Sequence, residues 1–267
     1  MRLLHLIPAS LWLLASLAAH AQSIPEIHGD HREPLFKHQD VTTQGIVTLV
    51  LEDRFWIQTP GADRRGGLLI ITEGRPAVRR GDRIAVRGTL EHIAPENRPA
   101  ELGLTQLVQA SVEVISSNQA LPPPVKIGPG GLPIPSVLAP SRFDMPLQPE
   151  HNAIDFWTAL LGMRVSLPVS RVVGPSNRFL QTWVIAAEDH RNLGPYGTVA
   201  ATRADFNAER ILIQPNPFLV PAFPDPARVG DEIAPVTGVV DYRSGNFRII
   251  AEHAVRRIAR PSPAINS

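Results

Sequence analysis

The sequence predicts an all-β protein: two small Greek-key barrels joined by a proline-rich connector, with one short helix before the second barrel. Three observations carry this expectation. Proline supplies 27 of 267 residues, roughly twice its usual ~5%, which argues against long uninterrupted helices. Short runs rich in Val, Ile, Thr and aromatic residues, bounded by Gly, Asp and Asn, recur through both halves. A Gly-Asp turn entering a β-rich run also occurs twice, as Gly81-Asp82-Arg83-Ile84-Ala85 and Gly230-Asp231-Glu232-Ile233-Ala234, each followed by a further glycine at Gly88 and Gly238. A glycine kink of this kind is what a tightly coiled barrel strand needs.

Taken in order, residues 1–21 read as a secretory leader. Arg2 gives a positive start, Leu3 to Ala19 is almost wholly apolar, and Ala19-His20-Ala21 has the small-x-small pattern of a cleavage site. The run is too short, and interrupted by Pro8, for a membrane span. Cleavage after Ala21 would place the chain in a periplasm or outside the cell, with no membrane attachment. Residues 22–40 form an N-terminal arm rich in His and acids, read as a solvated segment because Pro25 and Pro34 interrupt it. Residues 41–117 hold about five strands: Val41–Leu51, Phe55–Thr59, Leu68–Ile71, Ile84–Leu90 and Leu104–Ile115. Residues 118–149 contain nine prolines and read as an extended connector, with Ile134, Val137, Leu138, Phe143 and Met145 able to pack against a neighbour. Residues 150–260 begin with a helical pattern over Glu150–Leu161, stopped by Gly162. Strands follow at Arg164–Val169, Leu180–Ala187, Arg210–Gln214, Asp231–Tyr242 and Asn246–Ala251, and Arg243-Ser244-Gly245-Asn246 reads as a tight hairpin turn. Residues 261–267 are a tail.

Composition narrows the chemistry. The absence of cysteine excludes disulfides, thiol nucleophiles and cysteine-ligated metals. The formal charge of +1 excludes a strongly basic or acidic tail, and loss of the leader removes one arginine and no acid, leaving a formally neutral body. Of the 26 basic residues all but Lys37 and Lys126 are arginine. The ligand-rich run His28, Asp30, His31, Glu33, His38 and Asp40 lacks a metal-site spacing, and Glu188-Asp189-His190 has no companion nucleophile or second carboxylate. Neither a metal, a cofactor nor a catalytic residue is expected.

Several ordered segments together resemble the non-catalytic region of secreted bacterial nucleases of the endonuclease/exonuclease/phosphatase superfamily. They are Ile24–Gly29, Gly45–Thr48, Phe55–Gln58, Gly81–Leu90 and Leu104–Leu107 in the first half. In the second half they are Asp155–Val165, Gly174–Phe179, Asp205–Ile211, Gly238–Tyr242 and Gly245–Arg248. The resemblance implies an oligonucleotide/oligosaccharide-binding (OB) fold for the first barrel. It does not carry over activity, because the family's catalytic Gly-Asp-x-Asn and Ser-Asp-His motifs have no match in this sequence.

The expected role is therefore binding of single-stranded nucleic acid. Arg79, Arg80, Arg83 and Arg87 crowd one turn and strand of the first barrel, with Arg75 nearby, and guanidinium forks suit phosphates. Trp56 alternates with Phe55 and Ile57, so it faces outward if they face the core, as a base-stacking platform. The second barrel offers Trp183, Tyr242, Arg243 and Arg248, with Tyr242 and Phe247 as a cross-strand pair flanking the hairpin turn. Other readings are a docking module for a separately encoded nuclease domain, a metal-dependent nuclease, and a carbohydrate binder.

Overall fold

The computed structural model describes residues 21–94, 101–139, 142, 144–189, 193–194, 197–201, 206–216 and 226–259. The expected leader up to residue 20, Pro140, Phe143, His190 and the expected tail lie outside these residues.

The first barrel is built from β1 (Asp40–Val50), β2 (Arg54–Gln58), β3 (Gly67–Ile71), β4 (Arg83–Ile93) and β5 (Leu104–Ser116). Successive side chains along each strand point to opposite faces, so one set fills the inside. Phe55, Ile57, Leu68, Ile70, Ile84, Val86, Leu90 and Leu107 form that core. The sheet closes in the order β1-β2-β3-β5-β4. All neighbours are antiparallel except β3 and β5, which run parallel.

The N-terminal segment departs from the sequence expectation. Residues 22–40 are not a solvated arm: α1 (Ile24–His28) is capped by Ser23 and Glu26 in a reciprocal capping box, and Ile24 and Ile27 are buried in the first core. Pro25 does not oppose this, because the first helical turn needs no donor from its amide.

The second barrel follows α2 (Ala153–Ala159), which is shorter than the periodicity of Glu150–Leu161 implies. Its strands are β7 (Arg164–Leu167), β8 (Ser170–Gly174), β9 (Thr182–Ala186), β10 (Ile211–Gln214), β11 (Glu232–Ile233), β12 (Val236–Arg243), β13 (Asn246–Ala251) and β14 (Arg257–Ala259). Pro168 separates β7 from β8, and Pro235 separates β11 from β12. A proline has no amide to give to a ladder, so each pair is one strand broken in two. Because β12 pairs with β7 while β11 pairs with β8, the run β8-β9-β10-β13-β12-β7 returns on itself. This is the circuit of the first barrel, and its one parallel pair within the ring, β10 with β13, corresponds to β3 with β5.

The repeated Gly-Asp motif makes the same loop in both barrels. The Gly81 and Gly230 amides donate to Val47 O and Val172 O, and the Val47 and Val172 amides donate back to Asp82 O and Asp231 O. The Asp82 and Asp231 carboxylates accept from the amides of Arg79 and Arg228 at 2.8 and 3.0 Å. Both glycines have φ near +90°, at +89° and +87°, where a side chain is strained.

The connector is not a free linker. Its β6 (Val125–Lys126) pairs in parallel with β7, and Ile127 enters the second core. Ile134 packs against that core, whereas Val137 and Met145 are exposed. The tight turn after β12 is as expected: Ser244 and Gly245 both have positive φ, joining the paired residues Arg243 and Asn246.

Candidate nucleic-acid interface

The alternation along β2 is as the sequence implies, with Phe55 and Ile57 inside and Trp56 outside the barrel. Trp56 is nevertheless only 2% exposed. Its indole packs with Leu49 and Leu69 against Val239 and Ile250 of the second barrel. The expectation of Trp56 as a stacking platform is thereby corrected: the face is outward, but the other barrel covers it.

A polar clamp surrounds this seam. The buried Glu252 carboxylate accepts from Arg164 Nε and Nη2 at 2.6 and 2.9 Å, and also from Arg80 of the first barrel. Arg164 further donates to Pro122 O, and its amide donates to Gln58 Oε1 at 2.8 Å. Gly67 and Gly162 meet backbone to backbone, since a Cβ on Gly67 would lie 2.1 Å from the Gly162 carbonyl carbon. Beside them a cavity of about 30 Å³, about the space of one water, is lined by His28, Arg65, His92, Trp56 and Asp241 among others. Burial, reinforced by Arg65, lowers the His28 pKa to about 3, while its Nε2 bonds Gly67 O at 2.7 Å. Burial likewise lowers His92 to about 4. Arg65, lowered to about 10 by burial, donates to His28 O, Gly29 O and His31 O.

The arginines of the first barrel do not form one surface. Arg83 and Arg87 share an exposed face of β4, where Arg87 pairs with Asp40 at 3.2 Å and Arg83 bonds Gln44 at 3.3 Å. Arg80 belongs to the seam. Arg80 also joins Arg75 and Arg79 in lining an open groove of about 1140 Å³ whose walls carry Glu52, Asp53, Glu73 and Glu252. That mixture of signs does not favour a polyphosphate.

In the second barrel, Tyr242 is buried and its hydroxyl accepts from the Leu102 amide at 3.2 Å. It forms the expected edge-on pair with Phe247, with ring centroids 5.0 Å apart. Tyr242 is thus a packing residue, not an exposed stacking one. Arg243 is exposed at the hairpin turn. Arg248 makes two bonds to Asp241, at 2.9 and 2.5 Å, and one to Gln214 at 3.1 Å.

Trp183 is placed differently. It pairs in register with Leu212, and Leu212 with Arg248, so the three form an outward row across β9, β10 and β13. The same row in the first barrel is Trp56, Leu69 and Gln106. Trp183 is half-exposed, with the Arg210 guanidinium 5.0 Å from its ring centroid. Gly174 lies opposite, and a Cβ there would come within 3.2 Å of the Trp183 Cβ.

The loop between β8 and β9 completes this face. Asn177 Oδ1 accepts from the amides of Phe179 and Gln181 at 2.9 and 3.1 Å, an Asx turn that fixes the loop. Gln181 then donates to Gln214 at 2.6 Å, tying the loop to β10. The result displays Phe179, 59% exposed, with the Arg178 guanidinium 4.6 Å from its ring centroid. Sequence reasoning quoted Gly174–Phe179 for its resemblance but missed Arg178, Phe179 and Arg210 as site residues. The Asn-x-Phe spacing after Gly-Pro was the available signal.

A family model described as Domain of unknown function (DUF8508) matches residues 126–260, just over half of the chain. No curated protein matches. A murine DNA-binding protein solved with double-stranded DNA aligns with TM-score 0.28 and 8% identity, over 81% of this chain and 97% of that one. Fission yeast Pot1 solved with single-stranded DNA aligns with TM-score 0.29 and 13% identity, over 92% and 90%. Scores of this size carry nothing about what this chain binds.

Proposed function

We propose, for a chain that belongs to the family described as a domain of unknown function (DUF8508), an exported protein that binds single-stranded nucleic acid on the outer face of its second barrel. The observation that carries this reading is the Asn177-pinned loop that presents Phe179 and Arg178 and is tied through Gln181 to Gln214 of β10, the strand that pairs with the one carrying Trp183. An exposed aromatic ring gives a base a stacking surface on its open face, and a guanidinium lying over the ring supplies a cation for a phosphate. Rigid presentation lowers the ordering cost of binding. The exposed Arg243 extends the cationic edge, while Arg79, Arg83 and Arg87 of the first barrel are secondary contacts in this reading. Kinship to exported nucleases, supported by the ordered segments of the sequence, belongs to the same proposal, as does removal of residues 1–21.

Anisotropy of a labelled single-stranded oligonucleotide across a salt series tests the function. The formally neutral body implies weak binding that falls as salt rises, with roughly two to three phosphates contacted. Unchanged affinity across the series would sink the phosphate contacts. Phe179→Ala is expected to weaken binding by ~1–3 kcal/mol, the contribution of one stacked base. Full binding by that variant would place the ligand elsewhere.

A further inference from the structure

We infer that the seam between the two barrels opens on mild acidification, before either barrel unfolds, with His28 and His92 taking up the protons. The inference is independent of the binding reading above. Two features meet at the seam. Each barrel keeps a core of its own, whereas the apolar part of the seam is the small cluster of Leu49, Trp56, Leu69, Val239 and Ile250. A unit with so little apolar burial opens at a lower cost than the cores on either side. Both histidines also line the seam cavity, which Thr158, Gly162 and Val240 of the second barrel close from the other side. His28 Nε2 bonds Gly67 O at 2.7 Å, and Gly67 is the residue that meets Gly162. The His92 ring lies against Gly103, where a Cβ would collide with it, and its Nδ1 bonds Thr105 Oγ1 at 3.1 Å.

The charges around the two rings do not welcome two more protons. Arg32 and Arg65 line the same cavity. Arg32 is paired with Asp155 of α2 at 2.9 Å, and Asp241 of β12 with Arg248 at 2.5 and 2.9 Å. Glu33, near His92, is held by Lys37, and Asp30, near Arg65, bonds His31 at 2.6 Å. Each of these carboxylates thus already has a partner, and protonated His28 and His92 would face each other and two arginines in a buried place. The closed seam keeps both rings neutral, with burial the largest cause of their lowered pKa values of about 3 and about 4. In the opened form the rings reach water and regain an ordinary ~6.5. The opened form then binds more protons than the closed one below that pH. Opening is favoured as pH falls, by up to ~10-fold per pH unit for each histidine released. The face bared is that of Trp56 and Leu69, the counterpart of the Trp183 and Leu212 row that the second barrel already displays.

Native-state hydrogen exchange reads this opening directly, because several amides bond across the seam. The Arg65 amide donates to Ala159 O at 2.7 Å, that of Arg164 to Gln58 Oε1 at 2.8 Å, and that of Leu102 to the Tyr242 hydroxyl at 3.2 Å. The Gly81 and Val172 amides, which bond Val47 O and Asp231 O within one barrel each, are the controls. Between pH 7 and pH 5, above the ordinary carboxylate range near ~4, the protection of the cross-seam amides, corrected for intrinsic rates, should fall. The expected fall is roughly 20-fold if one histidine is released and up to several hundred-fold for both, with the controls unchanged. In the His28→Gln, His92→Gln double variant the cross-seam protection should be the same at both pH values. Cross-seam protection that does not change with pH in the wild type overturns the proposal, as does a loss shared equally by the Gly81 and Val172 amides. A folded double variant whose seam still loosens in acid overturns it too. If the double variant does not fold, the wild-type comparison of cross-seam and control amides decides alone.

Discussion

Trp56 and Trp183 stand at the same point of the same strand circuit, the first opposite Leu69 and the second opposite Leu212. Their surroundings differ. Trp56 is sealed against Val239 and Ile250, whereas Trp183 is half-exposed under the Arg210 guanidinium. The strand alternation is identical, so it cannot account for the difference. What does is the neighbour: the outer face of β2 and β3 receives β12 and β13 of the second barrel, and Gly67 and Gly162 allow the two backbones to touch. An outward barrel face is sealed or left open according to what docks on it, whatever its own strand pattern.

The largest expected effects test the sealed copy. Trp56→Ala should cost ~3–5 kcal/mol in urea unfolding, as for a large aromatic removed from a packed core, while Trp183→Ala should cost roughly 1–2 kcal/mol, having less buried area to lose. Equal losses would erase the contrast between the two faces. Glu252→Ala is expected to cost a comparable ~3–5 kcal/mol, because Arg164 would remain buried without its carboxylate. Glu252→Gln, which keeps an acceptor, should cost less.

Much of this arrangement is legible in the sequence, for reasons that differ by level. Strands such as β2, β10 and β13 follow from short β-branched and aromatic runs, and the hairpin at Ser244-Gly245 from its turn chemistry. The echo of Gly81-Asp82 in Gly230-Asp231 pointed to a repeated unit because a buried aspartate bonding the amide three residues back imposes that order. The fate of Trp56 was not legible, since its cover comes from residues nearly two hundred positions away. The folding of residues 22–40 was missed because two prolines and several charges outweighed a capping box whose signature, Ser23 followed by Glu26, was present. Short β6 and β14 escaped notice because so few residues carry no period.

The next effect is pH-dependent and again separates the two barrels. His28 and His92 line the seam with folded pKa values of about 3 and about 4, against an ordinary ~6.5 in the unfolded chain. Between those limits the unfolded chain binds more protons than the folded one. Unfolding free energy therefore rises with pH across this window, and stability is lost on acidification from about 6.5 towards 4. His28→Gln should flatten part of that slope, by on the order of 1–3 kcal/mol between the two ends. An unaltered slope in thermal unfolding would show that His28 is not buried neutral at the seam.

The smallest effects concern binding, and they ask which barrel meets the ligand. Arg87 is exposed and already paired with Asp40 at 3.2 Å, so Arg87→Ala removes a contact of ~0–1 kcal/mol in stability and a phosphate partner that must first leave its own acid. Arg178 has no carboxylate partner among the described residues and lies over the displayed Phe179 ring. Both are exposed, so neither substitution should move Tm appreciably. Arg178→Ala should lower oligonucleotide affinity roughly 3- to 10-fold and reduce the dependence on salt by about one ion. Arg87→Ala should change affinity by less than about twofold. The reverse ranking would move the ligand to the first barrel, onto the face of β4. There the neighbouring acids offset the arginines, and a phosphate chain would have to be held without an exposed ring, because Trp56 is closed beneath the second barrel.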